Sequence, residues 1–184
     1  MEEFILFEKD ALFYAVISDD IVEVSRNSEI KGAVFIPESV EYEGETYRVA
    51  RIGRHAFYGN RDITSVAVPE SVNEIGDGAF ACCTSLVSVN VPEGVQIIQY
   101  ECFFGCERLK DLVIPDSVTS VEDRAFWYCR DLETISIPRH LLGIEYPKIF
   151  PKRGSDSGQC RAMESLKHCF VRLPSGEIEE FDVE

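Results

Sequence analysis

Apolar residues in the middle of the chain fall into columns that recur every 23 positions. Phe57, Phe80, Phe103 and Phe126 form one column, and Pro69, Pro92, Pro115 and Pro138 another. Ile63, Leu86, Leu109 and Leu132 keep the same step, as do Val66, Val89, Leu112 and Ile135. So do Val72, Val95, Val118 and Leu141, then Ile75, Ile98, Val121 and Ile144. The position before each Phe is small: Ala56, Ala79, Cys102, Ala125. Three residues after it stand Asn60, Cys83, Cys106 and Cys129. A fixed period of this length means stacked supersecondary units, because one unit cannot bury its own apolar face.

Each unit reads L-x-x-V-x-V-P-x-x-V-x-x-I-x-x-x-A-F-x-x-C. Its first part alternates apolar and polar residues and is rich in valine and isoleucine, which predicts a short strand. Proline ends that strand, since it has no N–H for the next ladder bond. The A-F-x-x-C end has the spacing of a helical turn. With about 100° of rotation per residue, Phe80, Ala79 and Cys83 face the core and Cys82 faces solvent. The same rotation exposes Tyr128 and puts Trp127 at the flank. The expected architecture is an α/β repeat solenoid, mostly β, with like residues stacked about 4.8 Å apart along parallel strands.

The stretches "VAVPESVNEIGDGAFACC", "VNVPEGVQIIQYECFFGC" and "LVIPDSVTSVEDRAFWYC" carry the spelling "IP..V..I....F..C". It resembles leucine-rich repeats of the BspA type. The resemblance runs back through "VFIPESVEYEGETYRVARIGRHAFYGN", where Pro37 precedes Pro69 by 32 residues, one period plus nine. The nine extra residues, between Val40 and Ile52, predict a hairpin turning at Glu43-Gly44. Forward, it reaches "ISIPRHLLGIEYPKIF", where Pro147, Lys148 and Ile149 replace the A-F motif. The resemblance implies a leucine-rich-repeat-like right-handed superhelix of four to five 23-residue coils over residues 33–150, each coil a short parallel strand plus a helical or 3-10 turn. It also implies a non-enzymatic binding surface, of a kind often displayed outside bacterial cells.

A solenoid needs capped ends. Residues 1–32 offer "FILF", "LFYAVIS" and "IVEVS", expected as hairpins that feed the first coil. Residues 151–184 are expected as a C-terminal cap: a short helix with Ala162, Met163 and Leu166 on one face, then a hairpin turning at Pro174-Ser175-Gly176.

The formal charge of −15 changes the list of partners. A surface this acidic repels phosphate backbones and anionic lipid, so the expected partner is another protein rather than nucleic acid. The charge is uneven: residues 1–45 hold twelve acids against Lys9, Arg26 and Lys31. Residues 139–172 hold seven bases against three acids. No run of 18 apolar residues exists, so membrane insertion is not expected. The acidic start "MEEFILFEKD" lacks the basic, unbroken apolar form of a signal peptide. As written the chain is expected in the cytoplasm, or outside the cell if a leader has been removed.

Catalysis needs a nucleophile, a base or a metal in company. The three histidines, His55, His140 and His168, fall in no H-E-x-x-H spelling, and no phosphate loop or G-x-G-x-x-G appears. Cys102 and Cys106 have tolerable ligand spacing, but no second pair completes a zinc site. Cys83, Cys106 and Cys129 fit a core column, where free cysteine packs as a small apolar residue. No catalytic, metal or cofactor residue is assigned, and the chain is read as a non-enzyme.

Two surfaces remain for a partner. Strand positions facing away from the core are Ser65, Ala67, Ser88, Asn90, Asp111, Val113, Thr134 and Ser136, with Lys110 and Glu133 just before two of the strands. Aromatic residues of the kind that anchor interfaces lie instead beside the Phe column: Tyr58, Phe104, Trp127 and Tyr128. They either pad the outer curve or touch a partner. The expected role is a protein-interaction module; the alternatives are a structural spacer or assembly unit, or an acidic protein that neutralises a basic partner.

Overall fold

Residues 5–141, 168–173 and 177–181 are described by the structure, a computed structural model. The N-terminal segment alternates apolar and polar residues around two polar breaks, and it forms β1 (Leu6–Lys9), β2 (Leu12–Ser18) and β3 (Ile21–Val24), paired antiparallel in that order. Then come β4 (Gly32–Phe35), β5 (Ser39–Tyr42) and β6 (Glu45–Ile52). The inserted hairpin lies where the sequence puts it. β5 and β6 pair antiparallel, and Glu43 and Gly44 turn between them at φ 52° and 86°.

From there the chain winds in coils. One side of the solenoid carries β4, β7 (Ile63–Ala67), β9 (Ser88–Val89), β11 (Asp111–Val113) and β13 (Thr134–Pro138). A second side carries β6, β8 (Glu74–Ile75), β10 (Ile97–Ile98) and β12 (Ser120–Val121). Pairing is parallel within β4–β7–β9 and β11–β13 on the first side and within β6–β8 and β10–β12 on the second. Beyond β4 the partners stand one period apart: Ser65 with Ser88, Ile97 with Ser120, Asp111 with Thr134. Between the two sides the carbonyls of Pro69, Pro92 and Pro115 accept from the residue three ahead, as in Pro69 to Val72, 3.1 Å. β3 adds parallel to β6, so the N-terminal hairpins continue the second side. After β13 a 3-10 turn covers Arg139–Leu141. β14 (His168–Arg172) pairs parallel with β13, and β15 (Ile178–Phe181) antiparallel with β14. The short helix expected around Ala162 to Leu166, and the turn at Pro174-Ser175-Gly176, lie outside the described residues.

The third side departs from the helical expectation. Along 53–60 the bonds Ala56 N to Gly53 O, Tyr58 N to His55 O and Asn60 N to Phe57 O each close a reverse turn, at 3.0–3.1 Å. The intervening N–H groups of His55, Phe57 and Gly59 donate to the next coil, to Asp77, Ala79 and Ala81, at 2.8–3.0 Å. A helix would keep all these bonds within one segment. Two positions per coil are left-handed, which forbids a helix outright. One is the column His55, Gly78, Glu101 and Arg124, with φ 53–61°; the other is Gly59, Cys82, Gly105 and Tyr128, with φ 60–72°. The result is a ribbon of consecutive turns whose spare hydrogen bonds run from coil to coil.

The core is the column pattern made solid. Phe57, Phe80, Phe103 and Phe126 are buried and stack with centroids 5.3, 5.6 and 5.8 Å apart, planes within 6°. Cys83 Sγ donates to Phe57 O at 3.0 Å, Cys106 Sγ to Phe80 O at 3.2 Å and Cys129 Sγ to Phe103 O at 3.1 Å. In the first coil Asn60 holds this column. It donates to Asn27 O and Ile30 O at 3.0 and 2.8 Å, and accepts from Asp62 N and Ile63 N. These thiols are free and buried.

Cys82 is half-buried while its neighbour Cys83 is fully buried. Burial raises both thiols, Cys83 to about 12. A maleimide added to folded, reduced protein is therefore expected to modify Cys82 well before Cys83, with the order read by peptide mass mapping. The helical rotation predicts the same order on a different geometry, so the experiment tests burial, not helicity. Tyr128, expected to be more exposed than Trp127, is half-buried like it.

Candidate interaction surface

On the first side, alternation along each strand turns every second residue outward. Ala67, Ser88, Asn90, Asp111 and Val113 are exposed there, and Ser65, Thr134 and Ser136 are half-buried. The register sets them in rows: Ser65 beside Ser88, Asp111 beside Thr134, Val113 beside Ser136. Some of this chemistry is already used to join coils. Thr134 Oγ1 donates to Asp111 Oδ1. Asn90 accepts from Val68 N at 2.8 Å and donates to Val68 O at 2.7 Å, replacing a backbone bond where the strand ends. Lys110 O accepts from Glu133 N and Thr134 N, which puts the two opposite charges in neighbouring coils.

The outward strip begins one strand earlier than the sequence reading had it. Ala33 and Phe35 on β4 pair with Ser65 and Ala67 on β7, and Phe35 is 75% exposed. The signal was present. With Pro37 placed 32 residues before Pro69, Phe35 falls in the outward column of Ala67, Asn90, Val113 and Ser136. Ala33, Phe35, Ser65, Ala67, Ser88 and Asn90 line an open depression of about 540 Å³.

The aromatic candidates lie on the turn ribbon, and mostly against one another. Phe104 and Tyr128 meet edge to face at 5.1 Å, and Tyr58 leans on His55 at 5.1 Å. Trp127 sits under Arg124, whose guanidinium is 5.2 Å from its centroid and 6.0 Å from that of Tyr100. Arg124 also reaches Glu101 Oε1 at 3.2 Å and the Tyr100 hydroxyl at 3.1 Å. The sequence reading missed Arg124 and Tyr100; only the left-handed turn at Arg124 aims it at the preceding coil. The ribbon is thus a padded, cross-braced surface, with Tyr58 and Tyr100 its exposed rings. Among the described residues no cluster of three or more His, Cys, Asp or Glu could hold a metal.

A sequence model of the BspA type leucine rich repeat region matches residues 29–150 in 6 copies. Among solved structures, a leucine-rich repeat protein from Bacteroides capillosus is 32% identical, with TM-score 0.62, over 71% of this chain and 96% of that one. A leucine-rich repeat protein from Bacteroides ovatus is 32% identical, with TM-score 0.58, over 71% of this chain and 41% of that one. A leucine rich cell surface protein from Faecalibacterium prausnitzii is 29% identical, with TM-score 0.64, over 76% of this chain and 38% of that one. The chain therefore spans about two-fifths of the length of the latter two. Among curated proteins no sequence matches it.

Proposed function

The chain belongs to the BspA-type leucine-rich repeat family, and from this we infer that it is a non-enzymatic protein-binding module whose strand side meets the partner. The observation that carries this reading is the outward strip from Ser65 to Ser136. Its side chains face solvent and are held in rows by parallel pairing of β7 with β9 and of β11 with β13. A pre-ordered array loses little freedom when a partner docks. In this reading residues 33–150 are the solenoid, and 1–32 and 151–184 cap it. A setting at a bacterial cell surface is supported by the likeness to the cell surface protein of Faecalibacterium prausnitzii. No helix among the described residues is long and apolar enough to cross a membrane.

The test reverses charge and bulk on the strip without touching the core. Asp111→Arg together with Ser88→Arg is expected to abolish binding to proteins retained by the unmodified chain. Glu122→Arg, on the opposite side of the coil, is expected to leave binding intact. Equal retention by all three proteins would remove the strand side as the contact surface and favour a spacer.

A further inference from the structure

The N-terminal hairpins protect the two strand sides unequally. β1 and β2 extend the second side through β3, which pairs with β6. On the first side β4 begins the sheet, and among the described residues it pairs with β7 alone. Gly32 N donates to Asp62 O at 2.9 Å and Ile36 N to Ala67 O at 3.1 Å, so these residues and Val34 direct their backbone groups at β7. Alternate residues of a strand direct theirs the other way. Ala33 and Phe35 therefore turn two N–H and two C=O groups toward the open side.

Natural edge strands are blunted by charged side chains or proline. Gly32–Phe35 reads G-A-V-F and holds neither, while Phe35 stands 75% exposed beside it. The depression lined by Ala33, Phe35, Ser65 and Ala67 adjoins this edge and can take the alternate side chains of an added strand. Charge selects the occupant. Twelve acids face three bases over residues 1–45, and Lys31 among those bases is held by Asp62 at 3.0 Å. Glu29 and Glu38, both exposed, bracket β4. A second copy of the chain would bring the same negative charge to the edge, whereas a lysine- or arginine-flanked segment would neutralise it.

We propose that the free edge of β4 is a strand-addition site for an extended, basic segment of a partner protein. The proposal deepens the binding-module reading and rests on it. Backbone bonds supply the affinity, the depression takes the apolar side chains, and Glu29 with Glu38 favours basic flanks.

The test uses the full chain and a capped synthetic peptide of alternating valine and threonine with a lysine pair at each end. Saturable binding is expected, with slowed hydrogen exchange at the Ala33 and Phe35 amides. Methylating the peptide nitrogens that face β4 keeps the charge but removes the bonds, and is expected to weaken binding about tenfold or more. Replacing the lysines by glutamate is expected to weaken it as well. Phe35→Pro removes an N–H that the β4–β7 ladder does not use, so it should bind peptide poorly while its melting temperature stays near the parent's. If that variant fails to fold, the methylated peptide decides alone. Equal binding by the methylated peptide would overturn the proposal, as would perturbation of β9–β13 with Ala33 and Phe35 silent. Self-pairing of the free chain through those two amides would do so too. Glu122→Arg, outside both the strip and this edge, should bind the peptide normally. Lost peptide binding with partner binding kept is failure of this site, whereas kept peptide binding with partner retention unchanged by the strip variant is failure of the strand-side reading.

Discussion

Phe103→Ala is expected to destabilise the fold by about 3–5 kcal/mol, as large deletions of buried aromatics do. Phe103 is fully buried in the middle of the stack, 5.6 Å from Phe80 and 5.8 Å from Phe126. Losing it leaves a cavity bounded by two parallel rings, and neither can collapse into it without breaking register. Its carbonyl accepts the Cys129 thiol and its N–H donates to Ala125 O, so movement of its backbone reaches the next coil at once. In a solenoid stability is shared between neighbours, so hydrogen exchange should quicken at Phe80 and Phe126 together. Urea unfolding measures the total. Phe35→Ala, at an exposed ring, should stay within about 0.5 kcal/mol of the parent. A Phe103→Ala loss below about 1 kcal/mol would mean that the stack does not hold the coils together.

The second large effect is alkaline unfolding. Burial pushes the Cys83 and Cys129 thiols up to about 12 and those of Cys102 and Cys106 well above their ordinary value. Below about pH 9 the thiols are protonated in both the folded and unfolded chain, so they add no pH dependence. Between there and pH 12 the unfolded chain releases protons that the folded chain retains, and stability falls as pH rises. Each thiol contributes a slope of about 1.4 kcal/mol per pH unit in that window. Cys83 and Cys129 together remove about 8 kcal/mol by pH 12, comparable with the whole stability of a domain. Tyr14, fully buried and likewise raised to about 12, acts in the same direction from about pH 10. A circular-dichroism titration should show cooperative loss of structure near pH 10–11. Cys83→Ala with Cys129→Ala should move that midpoint upward, and an unmoved midpoint would take the thiols out of the explanation.

The repeat was legible because burial acts on single columns. A position that must fill the same space in every coil keeps its residue type, and the Phe, Pro and Val columns carry that directly. The inserted hairpin was legible from the nine extra residues and from Glu43-Gly44. The turn ribbon was misread because i, i+3 spacing is common to a helix and to a chain of reverse turns. The discriminating sign was glycine. Gly59 and Gly105 share one column and Gly78 stands in another, four positions away, and these are the two left-handed columns. The ribbon's surface was less legible still. Arg124 meets Tyr100 and Glu101 only across 24 and 23 residues, so its contacts are invisible until the axial register is known. Phe35 escaped because the inserted hairpin displaces it from the simple step of 23.

The axial direction of the hydrogen bonds has a mechanical consequence. The turn ribbon joins coil to coil along one line, and the strand sides do so within β7–β9, β11–β13, β6–β8 and β10–β12, so tension applied between the two ends opens bonds of a single junction at a time rather than shearing many together. Each regular coil occupies about 4.8 Å of the axis yet stores 23 residues, roughly 80 Å when drawn straight. Under a pulling load the molecule would lengthen in steps of about 70–75 Å and rewind when released, a spring with discrete turns.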